Sequence, residues 1–216
     1  MNKQEELALL EEARIWTKSQ MEVTAGHDWM HIERVVKNTR TLARKEGADL
    51  LVCELAAIMH DVVNLPKNDG NRKQASTLSA HAAAQFLEGK LSRERIALIY
   101  EAIQAHSYSA GFIPVSLEAK VVSDADNLDA LGAIGIARTF ECGGAMATPT
   151  LAAEDPFCEH RRPADHLYTV DHFYKKLLLL EKRFYTESGR RAARRRVDFM
   201  NLFLEELRLE VLEGVQ

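Results

Sequence analysis

The chain has 216 residues, 46% of them apolar and 28% charged, with a formal net charge of -4. That length and balance fit one globular domain able to bury a core without disulfides. The acidic balance argues against a surface built to attract nucleic acid or anionic membrane, and 11 glycines with only 5 prolines argue against extended disorder.

The predicted elements are almost all helices. Residues 5–21 are rich in Glu, Ala and Leu. Residues 30–46 place Ile32, Val35, Val36, Thr39 and Leu42 at helical spacing, with Gly47 as a stop. Residues 50–60 are strongly apolar, and Pro66 and Gly70 break the pattern in 61–71. An Ala-rich helix over 76–87 stops at Gly89. Ser92 caps a helix running through Ile96, Ile99, Ile103 and His106. Pro114 and Ser116 open another, through Val121, Ala125, Leu128 and Gly132.

From 142 to 165 the periodicity fails, with Pro149, Pro156, Pro163, Gly143 and Gly144 in that stretch. A loop of this length inside a domain is often functional. Two long helices, over 165–186 and 188–212, close the chain. No alternating strand pattern is present, so the expected class is all-α. The expected organisation is one domain over 1–216: a core over 22–140, the loop, and the C-terminal helices.

The N-terminal residues lack an apolar signal region, and Leu177 to Leu180 is only a short run within a charged segment. Cys53, Cys142 and Cys158 are odd in number and have no metal-ligand spacing. A reduced, cytoplasmic protein without a membrane anchor is expected.

Eight histidines occur, at positions 27, 31, 60, 81, 106, 160, 166 and 172. A lone histidine is more often a hydrogen-bonded packing residue than a ligand. Here five lie in the first half, on or at the ends of apolar helices. His60-Asp61 closes the apolar run Leu55-Ala56-Ala57-Ile58-Met59. A neighbouring imidazole and carboxylate at such a place are costly to bury without a partner, and a divalent cation supplies one.

The segment His27-Asp28-Trp29-Met30-His31-Ile32-Glu33-Arg34-Val35 resembles the opening signature of the HD-domain phosphohydrolase superfamily. His60-Asp61 resembles its central pair, and Val121-Val122-Ser123-Asp124-Ala125-Asp126-Asn127-Leu128-Asp129-Ala130 its final motif. Order and spacing match over roughly 26–138. The segment Gly132-Ala133-Ile134-Gly135-Ile136-Ala137-Arg138 and the C-terminal helices resemble the small stand-alone bacterial branch.

The resemblance implies an HD-type helical bundle with four metal ligands: His31, His60, Asp61 and Asp126. Two imidazoles and two carboxylates suit Mn²⁺ first, with Mg²⁺, Co²⁺ and Fe²⁺ as alternatives. His27 and His31 share a helical face, so His27 is a rival ligand; the spacing to Arg34-Val35 favours His31. Asp126 and Asp129 fall on one flank of their helix, with Asp124 across from them. The family motif selects Asp126, leaving Asp129 as a supporting partner or proton acceptor. His81 and His106 either bind a second metal or contact phosphate and leaving group; one metal per chain is the expectation.

In guanosine tetraphosphate hydrolases of this superfamily, Glu and Asp occupy the third and fourth positions after the His-Asp pair. Here those are Asn64 and Leu65, which speaks against that substrate and leaves the general base unassigned. Lys67, Arg72 and Arg138 are candidate phosphate contacts. The basic run from Gly189 to Arg196 reads as a solvated helix face paired with Glu205, Glu206 and Glu210 or with another chain, rather than a nucleic-acid patch.

The expected activity is metal-dependent phosphohydrolysis of a small-molecule nucleotide, with pyrophosphate released from a nucleoside triphosphate. Alternatives within the superfamily are a nucleoside monophosphatase and a cyclic-nucleotide phosphodiesterase. Alternatives of other classes are a diiron oxygenase and a non-catalytic nucleotide sensor. Neither nucleic acid nor membrane is an expected partner, and a homo-oligomer is compatible with the sequence.

Overall fold

Polar residues in the sequence set where the helices begin. In a computed structural model that describes residues 1–21, 28–63, 74–107 and 110–213, α1 (Lys3–Gln20) starts at Asn2. The Asn2 side chain accepts from the Gln4 and Glu5 amides, and Glu5 accepts from the Asn2 amide in return. Asp28, Asp49 and Ser92 cap α2 (Trp29–Glu46), α3 (Leu50–Met59) and α5 (Arg93–His106) by accepting from first-turn amides. The remaining α-helices are α4 (Ala75–Leu87), α6 (Leu117–Asp129), α7 (Gly132–Ala145), α8 (Asp171–Lys175) and α9 (Glu187–Leu212). Among the described residues there is no β-strand, and the class is all-α.

The chain divides into two compact units. The first comprises residues 1–126 together with 185–189. Its centre is α3, packed against α1, α2, α4 and α5. Every residue from Leu51 to Met59 is buried, which explains why this helix has an apolar sequence on all sides rather than a stripe. The one charge within it, Glu54, pairs with Arg40 of α2 at 2.7 Å.

The second unit comprises residues 127–184 and 190–216. Three sequence expectations change here. The helix expected to run on through Gly132 ends at Asp129, and Gly132 itself takes φ +73 and opens α7. A side chain there would be strained and would also press on the Arg196 side chain. The irregular stretch begins four residues later than expected, because α7 continues through Ala145.

The third change is the largest. The long helix expected over 165–186 is instead the five-residue α8 followed by a 3₁₀ helix, Leu177–Arg183. Its would-be first turns spend their hydrogen bonds elsewhere. The Thr169 and Val170 amides donate to the carbonyls of Pro149 and Thr150, at 2.9 and 3.0 Å. The Asp165 carboxylate accepts from Lys175 and faces His172. Asp171, fully buried, accepts two bonds from Arg161 (2.5 and 2.6 Å) and one from the Ala164 amide.

The basic run also finds partners other than the expected glutamates. Arg190 donates to the Phe184 carbonyl, Arg194 pairs with Glu181 at 3.1 Å, and Arg196 donates to the Leu128 carbonyl.

Candidate metal centre

Four elements of the first unit each deliver one or two polar side chains to a common point. Asp28 caps α2 by accepting from the His31 amide at 2.8 Å, which fixes the start of the helix that carries the His31 ring. At the end of α3, the His60 Nδ1 lies 2.8 Å from the Ala57 carbonyl. At the end of α5, the His106 Nδ1 lies 2.6 Å from the Ile103 carbonyl. A carbonyl can only accept, so both Nδ1 atoms carry the proton. The Nε2 lone pair of a neutral ring is thereby left facing inward, the arrangement a metal-ligating histidine needs.

The inward atoms converge. His31 Nε2 and His60 Nε2 are 3.2 Å apart. Asp126 Oδ1 lies 3.4 Å from the first and 3.8 Å from the second. Asp61 Oδ2 lies 3.8 Å from His31 Nε2 and 3.6 Å from His60 Nε2. His106 Nε2 lies 3.5 Å from the other Asp61 oxygen. The rings of His31 and His60 are buried, whereas the Asp61 and Asp126 side chains are 17% and 24% exposed, so the carboxylate side is the one open to solvent.

The donor chemistry fits a divalent cation. Lone pairs and carboxylate oxygens packed this closely repel one another, and a cation among them reverses the sign of that interaction. Burial pushes the His60 pKa down to about 4, against the opposing pull of Asp61, so the ring is neutral at ordinary pH. Burial would lower His106 as well, but the hydrogen bond and charge of Asp61 outweigh it and the pKa is raised. Two adjacent histidines are thus tuned in opposite directions.

The model of the HD domain matches residues 29–131, the stretch that contains all five of these side chains. The Bacillus subtilis protein YpgQ is 32% identical over 208 residues, covering 95% of each chain. The chain belongs to the HD-domain family. HD domains bind divalent metals, and the His/Asp cluster described above lies in the matched segment. Among solved structures, YpgQ in complex with ADP superposes with a TM-score of 0.74 at 31% identity, covering 95% of this chain and 96% of that one. A Listeria innocua protein gives 0.74 at 33% identity over the whole of both chains. An HD-superfamily hydrolase from Bacillus thuringiensis gives 0.74 at 31%, covering 95% and 97%.

His81 and Asp124 of the first unit are not among the grouped side chains. His81 is exposed on α4, its Nε2 3.1 Å from the Tyr100 hydroxyl of α5. Asp129 and Arg138 belong to the second unit, where they pair at 2.8 Å. His27, Asn64, Leu65, Lys67 and Arg72 lie outside the described residues. Asp124, the alternative within the final motif, is fully buried and bonded to residues 185 and 186. Nothing in the local sequence around Asp124 signals those partners. No described helix is long and apolar enough to cross a membrane.

Proposed function

We propose that this HD-domain protein hydrolyses nucleoside triphosphates at the α-phosphorus, releasing pyrophosphate and a monophosphate, with Mn²⁺ as the resident ion. The convergence of two inward imidazoles and two carboxylates at His31, His60, Asp61 and Asp126 carries the metal-dependent part of the reading. ADP in the YpgQ crystal structure supports a nucleotide as ligand. When bound, a divalent cation would polarise a phosphoryl oxygen and make water a nucleophile near neutral pH.

The chain's own contribution is placement. His60, held neutral with its Nδ1 proton on Ala57, keeps one lone pair aimed at the centre. Asp61 and Asp126 supply negative charge on the solvent-facing side, where phosphate would enter. His106 faces Asp61 and is assigned to substrate or leaving group, with one metal per chain. His60, Asp61 and His106 also form a compact trio, so two ions per chain by elemental analysis would move His106 into the ligand set. His81 and Lys67 are assigned with His106 to the phosphate and the leaving group. Cations among them would stabilise the departing pyrophosphate.

Phosphorus NMR of a nucleoside triphosphate incubated with the Mn²⁺-loaded protein tests the reaction. Pyrophosphate with matching monophosphate is expected. Orthophosphate with diphosphate, activity confined to monophosphates or cyclic diesters, or full activity after exhaustive chelation would overturn it.

A further inference from the structure

We propose that Asp124 is a positioning residue for Asp126, acting through the segment Tyr185–Gly189; the role rests on the metal reading of the site above. Asp124 and Asp126 stand two residues apart on α6. Two residues turn a helix by about 200°, so the two carboxylates leave opposite sides of it. One side meets His31 and His60. The other meets a segment of chain from more than fifty positions downstream.

That second contact is dense. The Asp124 carboxylate accepts from the Tyr185 amide at 2.9 Å, the Thr186 amide at 2.8 Å and the Thr186 hydroxyl at 2.6 Å. The Thr186 oxygen in turn accepts from the Gly189 amide at 3.0 Å, capping α9. The Ser188 amide donates to Glu46 at the end of α2, at 2.7 Å. Residues 185–189 therefore tie α6 to α2, the helix that carries His31. A second tie runs directly between the two helices, from the Asn38 side chain to the Ala125 carbonyl at 3.3 Å.

Gly189 shows how little room the clasp leaves. A Cβ there would run into Asp124 Oδ2 and into the Thr186 hydroxyl. The bonds on the Asp124 side fix the rotation of α6 about its own axis. That rotation sets how far Asp126 Oδ1 reaches toward the two Nε2 atoms, now 3.4 and 3.8 Å away. Partners hydrogen-bonded directly to a metal ligand typically change affinity about 10- to 100-fold when removed, and an effect passed through the helix is expected at the lower end of that range.

The test is Mn²⁺ titration of the full-length protein, followed by the EPR signal of free Mn²⁺ well below the unfolding temperature. Asp124→Asn and Thr186→Val should each weaken Mn²⁺ binding about tenfold. Gly189→Ala should do the same while leaving every charge in place. Thr186→Ser, which keeps the hydroxyl, should restore wild-type binding. If Asp124→Asn does not fold, the Thr186 pair and Gly189→Ala carry the test alone. Variants that lose thermal stability but bind Mn²⁺ within twofold of wild type would overturn the positioning role and leave the metal centre standing. Wild-type protein that takes up no Mn²⁺ would overturn the reading of the centre, and the positioning role with it.

Discussion

The His/Asp cluster of the first unit and the Asp171 pair of the second bury polar groups in different ways. In the first, imidazoles and carboxylates from α2, α3, α5 and α6 converge on one point, several donors meeting at 3.2–3.8 Å. In the second, a buried carboxylate is met by a single opposite charge: Arg161 forks onto Asp171. Convergence of several donors on one point marks the candidate site; a charge met by one opposite charge marks structure. Four measurements press on that contrast.

The largest effect is expected at His60. His60→Ala should weaken Mn²⁺ binding by more than about 100-fold and abolish turnover, while circular dichroism reports near-native helix content. A variant that keeps full activity would dissolve the contrast, since His60 would then be an ordinary buried ring.

Asp171→Ala should show the reverse profile. It leaves Arg161 without its forked partner and removes an acceptor from the Ala164 amide, a loss of about 2–3 kcal/mol. Urea denaturation should show that loss, while Mn²⁺ affinity stays at the wild-type level. Weakened metal binding in this variant would mean that the two kinds of burial are not separable.

Acid should act through the same carboxylate. Burial pushes the Asp171 pKa up, but the Arg161 hydrogen bonds outweigh it and hold it below the ordinary value. Asp165 is likewise held low, by Lys175 and His172 against burial. A folded-state pKa below the unfolded one gives stability that is complete above about pH 4 and is lost as pH falls through the folded value. The denaturation midpoint should therefore drop as pH falls below about 4, and drop less in Asp171→Ala. Equal acid sensitivity in the two proteins would remove Asp171 from the explanation.

The smallest effect is expected at Arg194, whose pair with Glu181 is largely exposed. Arg194→Ala should change stability by less than about 0.5 kcal/mol. A larger change measured by denaturation would promote the basic run to a structural role.

The sequence was most readable where chemistry and helix coincide. His31, His60, Asp61 and Asp126 were all marked by short motifs at helix starts and ends, and the structure brings these four together. His106 was visible as a histidine on an apolar helix, but its place beside Asp61 depends on how α5 packs on α3. The long helix expected over 165–186 failed because charged and aliphatic residues there read as helical while their amides and carboxylates are spent on residues 148–164. Asp124 was indistinguishable from a rival ligand: its partners are Tyr185 and Thr186, and local periodicity carries no information about contacts so far along the chain.

The first unit is discontinuous: residues 185–189 complete a body otherwise made of 1–126. During synthesis the ribosome must therefore add about sixty further residues before the Asp124 clasp can close, a delay of about 3–12 s at typical elongation rates. Until then the nascent chain holds the cluster side chains with the acceptor on α6 unfilled. The Thr186 hydroxyl and the amides of residues 185, 186, 188 and 189 arrive after the rest of this unit and close it.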